Sequence, residues 1–213
     1  MQRSHEAEIL DSGQVPPHLA EQAHRGLSAT HKLLGNHAAI IRALKQDGQA
    51  VRSVLDIGCG HGELLRKIGL QINTELLGVD LQPPKDPDPK IPIFRLDAVR
   101  DTLPKAEVAV SVCMVHHLKE DEFIDLIRNV GRACRRFIIL DLVRHPFPLS
   151  VFKTFAPLFL PRINVHDGAL SIRRSHTGVE FRGLVQQALA GSGGSFTHTV
   201  SPFWIRQIAD IHY

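Results

Sequence analysis

The chain has 213 residues, 43% hydrophobic and 22% charged, with a formal net charge of +3. That composition supports one full hydrophobic core and argues against wholesale disorder. The basic excess is spread along the chain with no Lys/Arg run of the kind that attracts nucleic acid or an anionic membrane, and no apolar stretch is long enough to span a bilayer. Three cysteines, Cys59, Cys113 and Cys134, with no CxxC pair, fit a reduced, cytoplasmic compartment better than a secreted disulfide scaffold.

Residues 1–17, "MQRSHEAEILDSGQVPP", carry charges where a signal peptide needs an apolar core, and are expected to form a mobile tail ahead of a single domain over 18–213. From His18 to Gln46 the apolar residues Leu19, Ala23, Leu27, Leu34, Ile41 and Leu44 recur at helical spacing. They predict two helices within 18–50, broken at Gly35, with Asn36 capping the second.

The period changes at Ser53. The segments "SVLDI" (53–57), "LLGVD" (76–80), "IFRL" (93–96), "VAVSVCMV" (108–115) and "FIILDL" (137–142) are short, rich in β-branched residues and apolar on both faces. Such strands suit a parallel sheet covered on both sides. Helical stretches "GELLRKIGL" and "EDEFIDLIRNVGRAC" lie between them, so the expected fold is a doubly wound α/β sheet. The connection "QPPKDPDPKIP" (82–92) has five prolines and reads as a stiff loop where a crossover helix is usual. Residues 143–176 interrupt the alternation and are expected to form an insertion over the carboxyl edge of the sheet, before a helix near Val179 to Ala190. Two last strand-like stretches, 196–200 and 203–211, complete a seven-stranded mixed sheet.

In an open α/β sheet, ligands sit beyond the carboxyl ends of the strands. Gly58, Gly60 and Gly62 fall there, after the first strand, where a missing Cβ lets the main chain approach a ligand closely. The spacing is not that of a dinucleotide fingerprint, because Glu63 stands where the last glycine of that pattern belongs. Asp56, two residues ahead of the first glycine, would repel a pyrophosphate but suits a cationic ligand.

The run "LDIGCGHG" resembles the first motif of the class I S-adenosylmethionine (SAM)-dependent methyltransferases, and the likeness extends over residues 53–142. It implies a Rossmann-like fold and SAM as cofactor. By the resemblance Asp56, Gly58, Cys59, Gly60 and Gly62 line the cofactor, Asp80 accepts the ribose hydroxyls and Leu81 lies against the adenine. Asp97 and the Ala98 amide take the adenine edge, and Cys113 and Met114 line the methionine moiety. The segments "LSATHKLLGN" and "HDGALSIRRSHT" are similar to a bacterial small-molecule branch found with natural-product and polyketide genes, in which an N-terminal helix closes over the cofactor and His31 faces it or the acceptor.

A SAM methyl is already activated, so holding an acceptor in line with it accounts for much of the rate. A phenolic acceptor gains from a neutral histidine as base, for which His31, His116 and His117 are the candidates. His116 and His117, as neighbours at a strand end, should point to opposite sides, so no metal is expected. His166, Asp167, Arg173 and Arg174 read as parts of a solvated loop within the insertion. The expected activity is O-methylation of a small apolar, aromatic or polyketide-like hydroxyl compound. C-methylation of a quinol or phenolic ring and a non-catalytic SAM-binding module are the alternatives. Nucleic acid is not an expected substrate, since no cysteine follows a proline and no Asn-Pro-Pro-Tyr-type run occurs. The apolar stretch 147–160 is expected to act as a lid, or to join a homodimer or a biosynthetic partner.

Overall fold

The computed structural model describes residues 1–10, 15–46, 50–84 and 88–213. Seven strands, β1 (Ser53–Ile57), β2 (Glu75–Asp80), β3 (Ile93–Arg95), β4 (Val108–Val112), β5 (Arg136–Leu142), β6 (Ser195–Val200) and β7 (Arg206–His212), form one sheet in the order β3-β2-β1-β4-β5-β7-β6. β1 to β5 run parallel and β7 lies antiparallel between β5 and β6. This is the Rossmann-like, doubly wound mixed sheet expected, with its switch point between β1 and β4.

Strand period explains the unbroken apolar runs. Leu55, Ile57, Ala109, Phe137 and Ile139 meet Phe123, Leu126 and Ile127 of α4 (Glu120–Ala133) and Phe181 and Val185 of α7 (Gly178–Leu189). Their sequence neighbours Val54, Val108, Val110, Ile138 and Leu140 meet the opposite layer, Ile40, Ile41 and Leu44 of α2 (Asn36–Lys45) and Leu64 and Ile68 of α3 (Glu63–Gly69). Both faces are covered, so both sets must be apolar. Capping boxes start α4, where the Lys119 amide donates to Glu122, and α7, where Thr177 and Glu180 exchange bonds.

Several expectations are corrected. The first ten residues are not a free tail: Ser4 and Glu8 are buried, and the Ser4 amide donates to the Arg173 carbonyl. The Ile9 and Leu10 amides donate to the two carboxylate oxygens of Asp167, at 2.9 and 3.0 Å. Residues 11–14 of the expected tail lie outside the described residues. Asn36 does not cap α2. Gly35, at φ 63°, takes the cap position after α1 (Pro17–Leu33) and frees the Asn36 side chain for other work. β4 ends at Val112, three residues early, because Cys113 turns to φ 52°. β7 starts at Arg206 rather than 203, since Phe203 and Trp204 sit at φ 62° and 53° in a kinked turn that no strand can hold. The proline-rich connection carries no helix among its described residues, and 85–87 lie outside them.

The insertion is two helices, α5 (Pro146–Phe155) and α6 (Arg162–Arg174). α6 lies against α1, where Asn164 donates to the Ala23 carbonyl at 2.8 Å beside Gly26. Asp167 and Arg174 are therefore structural: Asp167 is buried under the N-terminal segment, and Arg174 donates to the His117 carbonyl. No helix among the described residues is long and apolar enough to cross a membrane.

Candidate functional site

The loop after β1 is shaped by three left-handed glycines, Gly58, Gly60 and Gly62, at φ 73°, 50° and 70°. The Gly58 amide donates to Val79 at the end of β2, and the Gly62 amide closes a turn onto the Cys59 carbonyl. A Cβ on Gly58 would lie 2.6 Å from the side chain of Met114, whereas a Cβ on Gly60 would meet nothing within 4 Å. The loop is thus packed on one side and open at Gly60.

Three carboxylates lie at or just beyond the carboxyl ends of β1, β2 and β3, and one of them, Asp80, is bonded across this opening. Asp80 accepts the Gly60 amide on one oxygen and the Gln82 amide on the other, each at 2.8 Å, which fixes it across the loop. Asp56 is buried, and desolvation together with the nearby Asp80 charge raises its carboxyl to about 8. Burial would also raise Asp97, but the Arg100 hydrogen bond at 2.7 Å and the Val99 amide outweigh it and hold the group below its usual range. Leu81 beside Asp80 is 62% exposed, an apolar surface left bare at the rim. The Ala98 carbonyl accepts from Asn129 of α4. Cys59 is buried against Gly78, and burial, with Asp56 and Asp80 beside it, pushes its thiol far up, so it stays protonated and is filler rather than nucleophile.

The N-terminal helix reaches this rim. Ser28 of α1 donates to Glu63 at the start of α3 at 2.5 Å, and Glu63 is paired with Lys67 at 2.6 Å. His31 is bonded to Asn36 at 3.1 Å, and Asn36 also lies 3.8 Å from the Cys113 sulfur. Arg206 of β7 donates to the Asn36 carbonyl oxygen at 3.0 Å, which leaves the Asn36 amide nitrogen as donor toward His31. The His31 Nδ1 therefore accepts, its proton sits on Nε2, and burial lowers its pKa, so the ring is a neutral donor.

His116 and His117 are not at a strand end. They form a one-turn 3-10 helix, Val115–His117, and their rings sit 4.3 Å apart on the same side, which removes the ground for expecting them to diverge. His116 is buried, with Nδ1 2.7 Å from Asp141 of β5 and its amide donating to the other Asp141 oxygen at 2.9 Å. The sequence offered a signal for Asp141, a carboxylate inside the apolar run "FIILDL". It offered none for Glu8, whose carboxylate lies 3.8 Å from His116 Nε2 and 3.9 Å from His117 Nε2. The glycine loop is thus bonded to Asp80 and packed on Met114, α1 is bonded to α3 at Glu63, and His31 reaches Cys113 through Asn36, ahead of the histidine turn.

Comparison with known proteins agrees on the fold. The plantazolicin methyltransferase BpumL, solved with a monoazolic desmethylPZN analog and SAH, is 14% identical, with a TM-score of 0.72 over 92% of this chain and 90% of that one. BpumL solved with SAH gives a TM-score of 0.70 at 14% identity over 95% and 93% of the two chains. The methyltransferase domain of bacterial CtHen1 is 17% identical, with a TM-score of 0.62 over 83% and 96%. In sequence, no family profile and no curated protein matches the chain. What is shared with these methyltransferases is the architecture.

Proposed function

We propose that the protein is a SAM-dependent methyltransferase of class I type that O-methylates a small, apolar, aromatic or polyketide-like hydroxyl compound, acting in the cytoplasm as a single domain. The carrying observation is the opening at Gly60, with Asp80 bonded across it, Asp56 and Asp97 near the ends of the neighbouring strands, and α1 bonded to α3 where the loop ends. Main chain without side chains on one wall and carboxylates on the others suits a ligand with a diol and a positive charge. SAH, found in the BpumL structures, is what SAM becomes once its methyl has left.

In this reading Asp80 holds the ribose, Leu81 covers the adenine, and Asp97 and Ala98 meet the adenine edge. Cys113 and Met114 line the methionine chain, with Asp56, Gly58, Cys59, Gly60 and Gly62 shaping the cradle. The hydrogen bonds divide the histidines. His31 is the donor that orients the acceptor or cofactor, whereas His116, whose Nδ1 proton goes to Asp141, keeps a lone pair on Nε2 and is the group able to take up a proton, with His117 beside it. The insertion is the lid: α5 buries none of its residues, and Phe147, Phe155, Leu158 and Phe159 present an apolar surface.

The test is calorimetric titration with SAM and with NAD, followed by an acceptor screen for the added methyl mass. Saturable SAM binding, weakened by Asp80→Ala and unmatched by NAD, is expected. A folded protein that ignores SAM refutes the proposal.

A further inference from the structure

The contact between Glu8 and the histidine turn is chemically odd. Asp141 accepts the Nδ1 proton of His116 at 2.7 Å, so the Nε2 of that ring carries a lone pair. The nearest carboxylate to that lone pair is Glu8, 3.8 Å away, also an acceptor. Two acceptors face each other in a buried place, an arrangement that a cation between them, a proton or a metal ion, would stabilise.

The rest of the cluster favours the metal. His117 brings a second imidazole nitrogen to the same Glu8 oxygen at 3.9 Å, and the three ligand atoms all lie within 4.8 Å of one another. A proton needs one of these rings, not both. Around a tetrahedral ion with bonds of about 2.0–2.1 Å, neighbouring ligand atoms stand about 3.3 Å apart. The observed 3.8 and 3.9 Å therefore close with small side-chain movements. The outer contacts are those of a built site: Asp141 fixes the tautomer and tilt of His116, and Ser171 of α6 donates to Glu8 at 2.7 Å. Two arginines hold the same turn, Arg3 donating to the Leu118 carbonyl at 2.7 Å and Arg174 to that of His117 at 3.2 Å. Their charges oppose a dication. Two imidazoles among the three ligands disfavour the hard ions, Ca2+ and Mg2+, which prefer oxygen, and suit imidazole-seeking metals.

We propose that Glu8, His116 and His117 bind a divalent transition-metal ion of the zinc class, with at least one coordination position open beside the Cys113–Met114 wall. The ligands come from the N-terminal segment and from the turn after β4, so the ion ties that segment to the sheet. The site stands on its own geometry and does not depend on SAM binding; with the ion bound, the His116 Nε2 is a ligand and no longer the proton acceptor of the proposed function.

Titration of the full-length protein with Co2+, without SAM, tests it by visible absorption. The expected result is one equivalent of Co2+ bound, with ligand-field bands but no thiolate charge-transfer band, and displacement by Zn2+. His117→Ala, at the least buried of the three positions, and Glu8→Ala should each weaken binding at least tenfold, since even an outer-shell partner is worth roughly 10–100-fold. If Glu8→Ala does not fold, His117→Gln takes its place. No saturable binding by the folded wild type overturns the proposal. A thiolate band, or unchanged affinity in the folded variants, overturns it equally.

Discussion

Gly60→Ala separates the cost of backbone strain from the loss of ligand space. At φ 50° an alanine is held in the left-handed region, at roughly 1–2 kcal/mol. Nothing lies within 4 Å of the added methyl, so no packing cost is added. For a domain of this size each kcal/mol lowers Tm by roughly 2–4 °C, which places the variant about 2–8 °C below wild type. If Gly60 opens onto the cofactor, the same methyl intrudes on the ligand, and SAM affinity should fall at least tenfold, about 1.4 kcal/mol. Gly193→Ala is the control. It sits at φ 74° with equally open surroundings but in the turn between α7 and β6, and should melt lower by a similar margin while binding SAM normally. Gly58→Ala should lose more stability than either, because its methyl would strike Met114. Melting curves and calorimetry on the three variants decide the matter. Gly60→Ala with wild-type SAM affinity would refute the placement of the cofactor.

Other expectations concern charge and the lid. Asp56 stays protonated up to about pH 8, and a cationic ligand beside it favours the ionised form, so SAM affinity should rise from about pH 6 toward that value and Asp56→Asn should flatten the rise. Calorimetry at three pH values checks it. His176 is buried between Phe123 and Phe181 with no hydrogen-bond partner for either ring nitrogen among the described residues, and burial lowers its pKa to about 4. The unfolded chain then binds more protons between that value and about 6.5, and stability falls as pH falls through this window. His176→Phe should remove that loss, gaining up to roughly 2 kcal/mol at pH 5 in urea melts with little change at pH 8. Phe155→Ser, at a 55% exposed lid position, should leave SAM binding intact and slow turnover of an apolar acceptor. Equal turnover would mean α5 serves another purpose.

Strand period made the sheet legible. β1 runs over 53–57 as read, and the edges of β2, β3 and β5 move by one residue, because an apolar run bounded by polar residues has only one way to lie in a covered sheet. The place of the glycines and carboxylates was legible for the same reason: they fall near strand ends, where one-dimensional spacing fixes them. Local backbone choices were less visible. Neither the turn of Cys113 to positive φ nor the kink at Phe203 and Trp204 has a glycine to announce it, and the first brought His116 and His117 to the same side. Contacts between distant segments were invisible. No periodicity relates Glu8 to His116, Asp167 to Ile9, or Arg206 to Asn36.

The crossing of α1 and α6 bears on how acceptor choice could be changed. In the proposed function the cover is one interlocked unit drawn from two places in the chain, and α1 and α6 are joined where Asn164 fits against Gly26 and the Ala23 carbonyl. A Cβ on Gly26 would come within 2.7 Å of Asn164, so the joint tolerates no bulk. Transplanting the insertion alone into a related enzyme would set α6 against a foreign first helix. Moving residues 17–34 and 143–176 together would carry the joint intact and leave the glycine loop, Asp80 and Asp97 of the recipient undisturbed. On that proposal selectivity is a cassette with two non-contiguous halves, and a library that varies only one of them should yield mostly broken α1–α6 joints.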